Sequence, residues 1–241
     1  MAWRGVFAIG VLTVVTVWLG VEGMLGFYIH PRYNVFTLVM AAIGVVLMVI
    51  ALIVPASGHS HAGHRHAKGH SAMEWLSLSL VAGVVVISLV LPPTTLSSYT
   101  AENRSFGTVA TSPAADALDL DSATSGFENL TVRDWASLLI QTQDPSFFRG
   151  KPFSALGTVT DSGDPDVFLL TRFVVTCCAV DAQPVSVPVY FPGWRDDYAP
   201  DTWVTVSGGF QVLPDVSAPG NLAVVTADIV VEEVPREPYL F

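Results

Sequence analysis

The sequence predicts two parts: a membrane α-helical N-terminal part with three transmembrane helices, then a mainly β C-terminal domain. The second part reads as a small five-stranded barrel of the OB-like (oligonucleotide/oligosaccharide-binding) type with one helix. Three observations carry this. Apolar residues make up 51% of the 241 and charged residues only 13%, about half the ~25% usual in a soluble domain. The charge is uneven: up to Pro93, Arg4, Arg32, Arg65 and Lys68 stand against Glu22 and Glu74. From Thr94 on, nineteen acids face seven bases, and the whole chain carries a net charge of −10. Finally, long apolar runs stop at Pro92-Pro93 and give way to short runs punctuated by Gly and Pro.

Residues 1–93 hold three apolar runs, at about 5–29, 35–54 and 75–91. The second lacks charge and has about the 20 residues that a hydrocarbon core requires. The first is read as a span rather than a cleaved signal peptide, because it is long and a second run follows almost at once. The third is shorter, and a buried core helix is its competing reading. The short-loop basic residues favour a cytoplasmic N-terminus with the acidic domain extracytoplasmic, in a multi-pass arrangement in the cell membrane. Two polar residues in this half are candidate intramembrane sites. Glu22 lies within the first run, where a carboxylate is costly and seeks a partner or a wet cavity; the alternative places it among headgroups. His30 opens the turn His30-Pro31-Arg32-Tyr33.

Between the second and third runs lies a histidine-rich loop, 57–72, with His59, His61, His64, His66 and His70 among Gly, Ala and Ser. Neutral imidazoles in a small-residue setting suit zinc or another divalent transition metal. A polar linker without function is the plain alternative. Residues 94–126 read as a flexible linker, rich in Ser, Thr, Ala and Asp.

The domain 127–241 opens on a helix. Thr131 followed by Asp134 resembles a capping box, and Val132, Trp135, Leu138 and Leu139 share one face. Strands are expected at 151–160, 167–177, 185–191, 202–212 and 222–234, with a bulge or bend at Gly208-Gly209. Its acidity disfavours nucleic acid, whose single-strand grooves are basic. The turn with Asp161, Asp164 and Asp166 could hold a cation, though acidic turns are commonly just solvated.

The only two cysteines, Cys177 and Cys178, are adjacent, with Asp181 close by. On a strand they would face opposite sides and could not share one ligand; on a turn they could. Reduced packing cysteines, a vicinal disulfide, and thiolate ligands or a redox switch with Asp181 all remain open. No nucleophile elbow, phosphate loop or HExxH is present, so the expectation is a non-enzyme.

Several segments together resemble the YcgQ-like family of bacterial membrane proteins. They are Tyr28-Ile-His-Pro-Arg32, Arg172-Phe173 leading to Cys177-Cys178-Ala179-Val180-Asp181-Ala182 with Pro184, Trp203-Val-x-Val-x-Gly208, and Pro238-Tyr239-Leu240-Phe241. The resemblance implies a companion of a YcgR-like permease, a non-enzymatic accessory subunit of a two-component membrane permease complex. With the histidines, this gives an expected role in transition-metal or metalloid transport. The rivals are a membrane-anchored module binding an envelope glycan or protein, and a membrane thiol-redox protein.

Overall fold

A computed structural model describes residues 2–53, 79, 83, 95–103, 127–142, 144–214 and 221–241, which fall into two compact units divided at Thr94 and Thr95. In the first unit, helix α1 (Ala2–Val21) is followed by a turn, and helix α2 runs over Asn34–Ile53. The α1 helix ends at Val21 because Gly23 turns left-handed (φ 72°), a conformation that glycine adopts without steric penalty. The two helices run antiparallel and close together. A methyl group on Gly10 would meet Met48 Sδ at 2.6 Å, and one on Gly20 would meet Leu38 Cδ2 at 2.8 Å. Small residues at such crossings let helices approach where no hydrophobic effect drives them together.

The expected membrane part is corrected here. Among the described residues one helical stretch, Pro31–Ile50 (20 residues, mean hydropathy 2.3), is long and apolar enough to cross a membrane, not three, and a multi-pass topology is not supported. The first run forms α1 and ends at the Glu22-Gly23 turn, and Ile9–Val21 within it counts only as a shorter apolar stretch among the described residues. Most of the third run, 75–91, lies outside the described residues, as does the histidine loop.

The second unit holds six strands: β1 (Pro152–Asp161), β2 (Val167–Val174), β3 (Gln183–Tyr190), β4 (Trp203–Val212), β5 (Leu222–Val231) and β6 (Tyr239–Leu240). They form one mixed sheet in the order β1-β4-β5-β3-β2-β6, and β1 also pairs with β2. The expected five-stranded barrel is thus replaced by a six-stranded mixed sheet. The missed strand is two residues long and pairs parallel to β2, too short to leave a periodic signal. The β3–β5 pairing is also parallel, and the remaining pairings are antiparallel.

The sheet bends at β1. Residues 152–158 pair with β4 and residues 158–161 with β2, so Thr158 belongs to both ladders. Gly157 sits at this corner, where a Cβ would press on Leu170 Cγ at 2.9 Å and the Thr171 carbonyl at 3.0 Å. The register shift between Ser207 and Gly208 is the bulge expected at Gly208-Gly209; a side chain on Gly208 would run into the Val225 carbonyl. Pro184 and Pro188 are tolerated in β3 because its β5 partnership is confined to Val189 and Tyr190, leaving most of that edge without a ladder to break.

Two further helices precede the sheet: α3 (Ser98–Asn103) and α4 (Val132–Gln141). The α4 helix starts as the sequence expects. The Thr131 N–H donates to Asp134 Oδ2 (2.8 Å) and the Asp134 N–H to Thr131 Oγ1 (3.4 Å), a full capping box. Its buried Trp135 lies against Phe127, Phe153 and Phe210, with ring centroids 5.1–5.8 Å apart. A smaller core joins Ala101 of α3 to Phe173, Val175, Ala182 and Tyr239, so the start of the expected linker packs within this unit. Residues 104–126 lie outside the described residues.

Candidate functional site

The site grows from the connection between β2 and β3. The β2 strand stops at Val174, and a single 3-10 turn, Ala179–Asp181, returns the chain to β3. Asp181 organises this connection. One carboxylate oxygen accepts the Thr176 N–H (3.2 Å), and the other accepts the N–H groups of Cys177 (2.8 Å) and Cys178 (3.3 Å). Three successive N–H groups wrapped on one carboxylate bend the chain at Thr176 and Cys177, while Cys178 keeps an extended backbone (φ −154°, ψ 166°). The two cysteine side chains therefore need not point to opposite faces.

The result is a convergence. Cys177 Sγ, Cys178 Sγ and an Asp181 carboxylate oxygen all lie within 4.8 Å of one another. Both cysteines are free thiols, Cys177 exposed and Cys178 half-buried, so the vicinal disulfide is not what the fold contains. Exposure also sets aside packing as the role of Cys177. Desolvation against the turn pushes the Cys177 thiol above its ordinary value, reinforced by Cys178 and by the charge of Asp181. A thiol held protonated is a poor nucleophile by itself, whereas a metal ion reverses that logic and deprotonates a coordinating thiol. Tetrahedral zinc places two sulfurs at ~2.3 Å each, hence about 3.8 Å apart. Small rotamer changes would bring these three atoms onto one ion and leave a fourth position open.

The other expected residues fare differently. His59, His61, His64, His66 and His70 lie outside the described residues. Glu22 is exposed in the turn after α1, beyond the helix rather than within it. His30 caps the Pro31–Tyr33 turn, its Nδ1 accepting the Arg32 N–H at 3.1 Å. Asp161 and Asp164 use their carboxylates locally: Asp161 Oδ1 accepts from the Gly163 N–H and from Arg195 Nη2 (2.7 Å), and Asp164 Oδ1 accepts from the Asp166 N–H. These acids close turns and an exposed ion pair.

Sequence reasoning gave no site role to Arg172. It is 7% exposed and lies over the Trp203 ring, 5.1 Å from the centroid. The signal was there: one cation within the apolar run Val167–Val175.

The chain matches the family models of the DUF1980 N-terminal domain, over residues 5–107, and of the DUF1980 C-terminal domain, over residues 125–241. This replaces the YcgQ-like resemblance, and the permease companion deduced from that resemblance loses its footing. No curated protein and no solved structure matches the chain.

Proposed function

As a member of the DUF1980 family, carrying its N- and C-terminal domains in that order, the chain is, we propose, a membrane-anchored, non-enzymatic metal-handling protein. It captures a thiophilic divalent cation such as zinc at Cys177, Cys178 and Asp181 and passes it on. The observation that carries this reading is the convergence of two thiols and a carboxylate on one exposed turn. A structural zinc site is closed by four protein ligands, whereas three ligands leave a position for water or for an acceptor's ligand. That pattern suits exchange. Thiolates favour soft or borderline ions over magnesium and calcium.

The α2 helix supports the anchoring. Its candidate span is unburied, and Val35, Phe36, Val39, Val46 and Ile53 are exposed; in water such a surface would aggregate, and in lipid it is solvated. In this reading the acidic domain stands outside the cytoplasm.

The test uses the full-length chain, reduced and in detergent, titrated with cadmium as a spectroscopic stand-in for zinc. A saturable thiolate-to-metal charge-transfer band is expected, with affinity reduced at least ~100-fold in Cys177→Ser and in Cys178→Ser. A reduced wild-type protein that shows no such band ends the proposal.

A further inference from the structure

The chain carries two cysteines, Cys177 and Cys178, and both stand on the turn between β2 and β3. Their sulfurs lie within 4.8 Å of each other and of an Asp181 carboxylate oxygen. Cys177 is exposed and Cys178 half-buried. A small solute therefore meets the first thiol without any cover moving, and the second lies beside it.

Asp181 is less free than it looks. Its carboxylate already accepts the N–H groups of Thr176, Cys177 and Cys178. A carboxylate offers about four lone-pair sites, so about one is left for an incoming ion. A divalent cation asks much of such a turn: a third and fourth ligand, and the loss of both thiol protons. Cys177 resists the last of these, because desolvation, then Cys178 and Asp181, hold its thiol above the ordinary value. A trivalent metalloid asks less. Arsenous acid is neutral near neutral pH, brings its own hydroxides to take up thiol protons, and is complete with three bonds. Two sulfurs and one retained hydroxyl satisfy it, and Asp181 stays with the backbone.

We infer that Cys177 and Cys178 bind trivalent arsenic or antimony, held as a cyclic dithiolate across the two neighbouring side chains. As(OH)3 and the two thiols give the hydroxyarsenic chelate and two waters. Two As–O and two S–H bonds break, two As–S and two O–H bonds form, and each thiol proton leaves on a departing hydroxide. Arsenic stays trivalent, so no oxidant or reductant enters. The second As–S bond closes within one chain, where the neighbouring thiol stands at high effective concentration. The inference rests on the thiol convergence used in the capture reading, without its carboxylate ligand, and extends the cargo from divalent cations to a metalloid.

The experiment titrates the full-length chain, reduced with a phosphine and held in detergent, with sodium arsenite. The chain has no third cysteine, so thiol-bound arsenic reports this pair. One arsenic per chain is expected, with both thiols shielded from maleimide. Affinity should fall at least ~100-fold in Cys177→Ser and in Cys178→Ser, because the chelate is lost. It should stay within ~3-fold in Asp181→Asn and between about pH 6 and pH 8, since no net proton is released; cadmium binding, which displaces protons, should weaken over the same range. No retained arsenic, one arsenic shared by two chains, or a pH dependence as steep as cadmium's overturns the inference. Cadmium bound without arsenite ends this inference and leaves the divalent-cation reading standing. Arsenite bound without cadmium does the reverse, and binding of neither ends both. Should a serine variant fail to fold, stoichiometry and thiol shielding in the wild type decide.

Discussion

Asp181 shows how one side chain turns a pair of neighbouring cysteines into a ligand set. Its carboxylate takes the N–H groups of residues 176, 177 and 178, and so acts on the backbone first and on any metal second. Asp181→Asn keeps the shape and weakens both roles. Each charge-assisted bond is worth roughly twice a neutral one, so an exposed turn of this kind should lose about 1 kcal/mol, read by denaturant unfolding of the metal-free protein. The thiol chemistry gives a sharper check. Cys177 is held above the ordinary thiol value by desolvation, then by Cys178 and Asp181. The reactive thiolate therefore forms only at higher pH than in a free cysteine. Iodoacetamide alkylation of Cys177 should show a raised midpoint, and Cys178→Ser should move it down by removing one of the three causes. An unperturbed midpoint in the wild type would contradict the turn geometry. Metal binding should weaken as pH falls, because protons compete for both thiols.

At the scale of elements, the sheet depends on two close approaches. Gly208 abuts the Val225 carbonyl at the β4 bulge, whereas a Cβ on Gly209 would find nothing nearer than the Lys151 carbonyl at 4.0 Å. Adjacent substitutions should therefore part ways. Gly208→Ala is expected to cost about 2–3 kcal/mol through forced backbone movement, and Gly209→Ala less than ~1 kcal/mol. Thermal unfolding of the two variants checks the register directly, since a one-residue slip would exchange their roles. For α4, Thr131→Ala removes half of the capping box and should cost about 1 kcal/mol. This helix was readable in advance: the Thr131–Asp134 spacing and the apolar face are both local in the chain. Its partner aromatics were not, because Phe153 and Phe210 reach Trp135 only once β1 and β4 pair.

Considered whole, the chain divides at Thr94 into a helical unit and a β unit, each with its own packing. If α2 anchors the chain as proposed, the full-length protein is expected in the membrane fraction on cell breakage, released by detergent and not by salt or carbonate. A chain of residues 95–241 should leave that fraction. Full-length protein recovered from the soluble fraction would contradict the anchoring role of the first unit. Composition made this division legible, since apolar runs and acids are sorted along the sequence and need no partner to be read. Hydropathy alone predicts three spans, whereas among the described residues one helical stretch, Pro31–Ile50, is long and apolar enough to cross a membrane. What hydropathy could not place is the left-handed turn at Gly23, which sets Glu22 outside α1.

The sequence by itself determined the two-part plan, the five long strands, the capped helix and the presence of two soft ligands beside an acid. All of these are local patterns of polarity, propensity and residue type. Only the tertiary structure decided how β1 serves two neighbours through the corner at Gly157, where β6 adds to the sheet, how the thiols converge and why Arg172 is buried. Each of these rests on contacts formed when the backbone folds back on itself, and residue order carries no direct sign of them.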